Sequence, residues 1–224
     1  MPEKPLARVF YGLTTLSAIA GTTLAFVLYG FGTSGPPDTT PGMFDVYGQN
    51  MIGRLADTIS YFTTWSNVLV AIVFALLAIR VSRRGHITHV LLFSALLMIL
   101  VAGLVDNAIL APAVAPRHGW ELLTTTLEHT ITPLFALFVW AIFGPRDWLS
   151  RQLILPALVI PIVWVVFTML RGAIINAYPY GFLNVVKLGY PMALLDVVGV
   201  LVVGIAICFL LIGIDRLARR WSRA

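Results

Sequence analysis

Ser60, Thr63, Thr64 and Asn67 lie in the stretch SYFTTWSN at spacings of three and four, which predicts one face of a helix. The flanks, 52–59 and 68–79, are largely apolar. A polar stripe inside such a run needs partners on other segments. One histidine lies inside an apolar run, His129 in TTTLEHTITP. A hydroxyl and an imidazole within reach of each other can act as nucleophile and base, so the first question is whether Thr63 and His129 meet. The plainer role for a membrane threonine is a hydroxyl bonded to the carbonyl one turn back, and for Asn67 a bridge between helices. His129 carries more weight, because an ionisable group within a span marks function by default. Thr125, His129 and Thr132 share a helix face at spacings of four and three, with Glu128 turned about 100° away.

These residues must be positioned by membrane helices. The 224 residues are 59% hydrophobic and 11% charged, with a mean hydropathy of +0.91; a soluble domain carries roughly 25% charged residues. Six runs reach the roughly 20 residues that cross a bilayer: 9–31, 52–79, 90–110, 122–143, 153–170 and 191–214. The predicted fold is all-α, a polytopic membrane protein with six transmembrane helices forming one domain over 1–224. The N-terminal MPEKPLAR before an apolar run has the look of a signal peptide, but the run 9–31 exceeds the 7–15 residues of such a region and reads as a retained span.

Orientation follows from Lys and Arg. One set of ends carries Lys4, Arg8, Arg80, Arg83, Arg84, Arg146, Arg151, Arg216, Arg219, Arg220 and Arg223; the other carries Arg54, Arg117, Arg171 and Lys187. The positive-inside rule then places both termini in the cytoplasm. The net charge of +5 is this asymmetry and not a nucleic-acid signal. Counted at about 1.5 Å per residue from the nearest basic marker, Thr63 and His129 each lie about 25 Å away, Asn67 about 20 Å, Asp196 about 30 Å and Asp106 about 33 Å. The polar side chains gather in the outer half of the bilayer. Asp106, Asn107 and Asp196 lie near its interface, where solvation is cheap.

Other chemistries fit less well. Cys208 is the only cysteine, so no intrachain disulfide or CxxC site forms. His86 and His89 sit at a basic loop edge, and a lone buried histidine does not make a transmembrane haem site. HExxH, GxSxG and P-loop motifs are missing.

YFTTWSN on the second run and EHT followed by proline on the fourth resemble a six-span family. Its bacterial branch is mostly called predicted integral membrane protein, and its animal branch comprises the androgen-induced and androgen-dependent proteins. The stretch 178–184, YPYGFLN, is also similar to the bacterial branch. Two positions differ from the animal pattern. Ser66 stands where those proteins have an acidic residue, and Pro133 falls one residue early.

The animal members look like threonine hydrolases of fatty acid esters of hydroxy fatty acids. The resemblance implies that Thr63 is a nucleophile and His129 its base, in a bacterial plasma-membrane enzyme acting on a lipid ester with no metal or cofactor. Asp106 or Asp196 would then orient the imidazole. Interior helix N–H groups are already bonded, so oxyanion donors are expected among the side chains Asn67, Asn107, Asn184, Arg171 and Lys187. Two other classes fit the same polar layer: a small transporter or channel, and a scaffold whose polar residues only lock packing.

Overall fold

The computed structural model describes residues 5–32, 40–45, 49–79, 85–114 and 116–221. Lys4, Arg80, Arg83, Arg84 and Arg223 of the basic set, with most of the first loop, lie outside them. Six helices are long and apolar enough to cross a membrane: Pro5–Phe31, Phe62–Ile79, His86–Leu110, Gly119–Phe143, Arg151–Ile175 and Val185–Arg220. The chain is an all-α polytopic membrane protein. Among the described residues, β structure is confined to a bridge between Met43 and Tyr178.

The elements are α1 (Pro5–Ala25), α2 (Met51–Ser60), α3 (Phe62–Ile79), α4 (His86–Val105), α5 (Gly119–Thr126), α6 (Thr132–Phe143), α7 (Ile154–Ile175) and α8 (Val185–Trp221). Helix α4 is the axis. It packs against α3, α6, α7 and α8, and 61% of its apolar stretch is buried, the largest share of the six spans. The outer helices present Leu16, Ile72, Ile142, Leu155 and Val202 outward, as a lipid-facing surface requires.

The run 52–79 departs from the single helix expected of it. It is two helices, α2 and α3, broken at Tyr61, whose backbone is extended at φ −72° and ψ 137°. A break orphans the last carbonyls of one helix and the first N–H groups of the next, and side chains satisfy them here. Thr64 Oγ1 donates to Thr58 O at 2.7 Å, Trp65 Nε1 to Ile59 O at 2.9 Å, and Trp164 Nε1 to Ser60 O at 3.0 Å. Leaving such a group buried and unpaired costs about 1–3 kcal/mol, so much of SYFTTWSN serves the break itself. Ser60 ends α2, with its hydroxyl turned back to Ala56 O; it does not share a helix with Thr63.

The fourth span is also irregular. Between α5 and α6 the chain makes a π turn, Leu127–Ile131, in which the Thr132 N–H reaches back to Leu127 O. Pro133 has no N–H. In π register it would have served Glu128 O, in α register His129 O. Two asparagines replace it: Asn67 Nδ2 donates to Glu128 O at 3.4 Å, and Asn107 Nδ2 to His129 O at 3.0 Å. At Gly103 a Cβ would stand 2.8 Å from His129 O, so glycine is what lets α4 approach the turn. The extra residue also turns Thr132 off the face expected for it. Its hydroxyl lies 2.8 Å from Ser17 Oγ on α1.

The two ends of the bundle differ in chemistry. At one, Arg146 donates to Ala141 O and lies 3.9 Å from Asp215, Arg219 pairs with Asp147, and Tyr11 Oη donates to Phe143 O. At the other, Tyr61, Trp164, Tyr180 and Phe182 pack ring on ring.

Candidate functional site

Because α3 begins at Phe62, Thr63 sits in its first turn. The carbonyls one turn behind belong to α2, across the break, and Ile59 O and Ser60 O accept from Trp65 and Trp164, so its hydroxyl is not tied back. Thr58 and Thr124, within helices, do bond back, to Arg54 O and Trp120 O. The hydrogen bond of Thr63 Oγ1 in the structure is a long one to Tyr180 Oη, at 3.5 Å. The side chain is buried, 7% exposed.

Thr63, His129 and Tyr180 line one cavity of about 230 Å³. Its walls are apolar, with Leu97 and Val101 of α4, Pro161 and Val165 of α7, and Val200 and Leu201 of α8. Ile162 and Val166 line it while also being about half exposed on the outside of the bundle, so the cavity opens sideways beside α7. Such a lining suits an apolar ligand.

The π turn aims His129 into the cavity. Its Nδ1 lies 3.3 Å from Ala102 O and its Nε2 3.9 Å from Asp106 Oδ1. In the tautomer that donates Nδ1–H to Ala102, Nε2 carries a lone pair and can take a proton. The Asp106 carboxylate faces this same nitrogen. Arg117 lies 3.7 Å from the same carboxylate oxygen. Asp106 also borders a second cavity of about 220 Å³, with Arg117, Thr125 and Thr130 in its wall. Glu128 turns the other way and packs against Gly21 of α1.

The remaining residues singled out in the sequence fall into two groups. Asn67 and Asn107 are at the site, but each amide already makes two donations. Asn67 serves Thr63 O and Glu128 O, and Asn107 serves Gly103 O and His129 O. Neither has an N–H left for an oxyanion, so their role is to hold backbone. Asn184, Arg171, Lys187 and Asp196 are not in the wall of the Thr63 cavity. Asn184 donates to Pro41 O and accepts the Lys187 N–H, as a cap of α8. Arg171 pairs with Asp57 at 2.5 Å and covers the Phe44 ring. Burial raises the Asp57 carboxyl above its ordinary range, against the lowering effect of Arg171. Lys187 is exposed and Asp196 half-buried on α8.

Tyr180 is the residue that sequence reasoning passed over. It lies in YPYGFLN, read in the sequence only as part of a family likeness; the signal that would have raised it is a helix start at Phe62, whose N–H needs an acceptor. Comparison with family models, curated proteins and solved structures finds no match for this chain.

Proposed function

We propose that this protein is an intramembrane hydrolase of lipid esters, with Thr63 as nucleophile and His129 as general base. The observation that carries this reading is a threonine hydroxyl free of its own backbone, sharing an apolar, laterally open cavity with a membrane-buried histidine. The ester enters from the bilayer with its carbonyl at the Thr63 end. Thr63 Oγ1 adds to the carbonyl carbon while His129 takes its proton. His129 then returns that proton to the departing alkoxide, leaving an acyl-threonine. Water, activated by His129 in turn, releases the acid. Asp106 holds the imidazolium charge at both stages.

The substrate class belongs to the same proposal. The resemblance of YFTTWSN and EHT to the six-span threonine hydrolases points to fatty acid esters of hydroxy fatty acids, cleaved in a bacterial plasma membrane by a protein with both termini in the cytoplasm. The test is turnover of a long-chain ester in detergent. Thr63→Ala and His129→Ala should each lose on the order of a hundredfold or more, and the double variant little beyond that, because the two act as a unit. Folded single variants that hydrolyse at the native rate would refute it.

A further inference from the structure

The break at Tyr61 leaves the first N–H groups of α3 without helical acceptors. The Phe62 N–H donates to Tyr180 Oη at 3.1 Å, and the Thr63 hydroxyl stands 3.5 Å from the same oxygen. The ring cannot swing away. It stacks on Phe182 with centroids 5.3 Å apart and meets Tyr61 edge-on at 5.6 Å. Its hydroxyl proton is therefore left for Thr63 or for whatever occupies the cavity they share.

Burial pushes the phenol's pKa up to about 12, so it stays protonated and has a proton to share. Its oxygen accepts an N–H at the positive end of α3, and a hydroxyl that accepts one hydrogen bond donates the next more strongly.

Building on Thr63 as nucleophile, we infer that Tyr180 is the oxyanion donor of the reaction. As the bond from Thr63 Oγ1 to the carbonyl carbon forms, the C=O π pair moves onto oxygen and the Thr63 proton passes to His129. Tyr180 keeps its own proton and hydrogen-bonds the new oxyanion. On collapse that pair re-forms the carbonyl, the ester C–O bond breaks, and the alkoxide takes the proton from His129. The oxyanion lies one bond beyond the carbon held by Oγ1, so a donor 3.5 Å from Oγ1 can come within the roughly 2.7–3.1 Å that stabilisation requires. This fills the role that the amides of Asn67 and Asn107, already engaged, cannot.

The experiment is Tyr180→Phe in the full chain, beside wild type and Thr63→Ala, with kcat, KM, fluorophosphonate labelling rate and a melting curve for each. The expected result is a folded protein with KM within a few fold, kcat lower by roughly a hundredfold and labelling slowed in parallel. Native kcat in folded Tyr180→Phe, with Thr63→Ala inert, overturns Tyr180 and leaves the nucleophile standing. Native turnover in Thr63→Ala removes both. Should Tyr180→Phe fail to fold, fluorinated tyrosines placed at 180 decide: kcat must change with phenol acidity, and a flat series overturns the assignment.

Discussion

The Asn67 side chain joins the two halves of the site, donating to Thr63 O at 3.0 Å on its own helix and to Glu128 O at 3.4 Å beside His129. One amide thus sets the second span against the π turn of the fourth. Asn67→Ala strands Glu128 O, while Thr63 O keeps the Ser66 hydroxyl; the stranded carbonyl should cost about 1–3 kcal/mol. Turnover should fall beyond the loss of folded protein, because the site's register goes with the bond. Melting curves paired with turnover per folded molecule measure this; a variant as stable and as active as wild type would contradict it.

Pro133 follows the π turn and offers no N–H to close it into α register. Pro133→Ala restores the donor and allows the turn to close into α-helix, which rotates His129 out of line. Helix propensity favours alanine by about 3 kcal/mol, so melting temperature should hold or rise while turnover drops at least about tenfold. A stable variant with native turnover would show that the π turn does not position the base.

Asp106 lies 3.9 Å from His129 Nε2, whereas Asp196 is on α8 outside the cavity wall. Asp106→Asn should lower kcat by about tenfold or more with little change in KM, as for a group whose effect grows with imidazolium charge. Asp196→Asn should be close to wild type. Steady-state kinetics on both variants distinguish the two carboxylates, and equal losses would be inconsistent with this geometry.

The spans were legible because apolar runs of about 20 residues leave a helix little alternative. The break at Tyr61 was not, since no glycine or proline marks it. Its Ser60 carbonyl and Phe62 N–H are satisfied by Trp164 and Tyr180, over a hundred residues away. The π turn was half-legible: Pro133 was in view, but not which side chains would serve Glu128 O and His129 O. That missing demand is why Asn67 and Asn107 read as free donors. Residue counting puts Thr63 and His129 in one layer of the bilayer, while their sharing a cavity is a matter of packing between α3, α4 and the π turn.

Orientation is a separate expectation, resting on the basic ends that carry Arg146, Arg151, Arg216, Arg219 and Arg220. Reporter fusions after Arg84, Arg151 and Ala224 should read cytoplasm, and fusions within 171–190 the opposite side. A C-terminal fusion reading outside would sink the six-span orientation.

The central claim is that Thr63 becomes covalently bonded during the reaction, and peptide mapping of a fluorophosphonate adduct tests it most directly. Purified protein is labelled with a long-chain probe, digested and sequenced by mass spectrometry. The adduct should sit on Thr63, be lost in His129→Ala, and be blocked by excess ester. Thr64, whose hydroxyl is committed to Thr58 O, should stay unmodified. A catalytically active preparation with no adduct on Thr63, or with the adduct on another residue, would contradict the account.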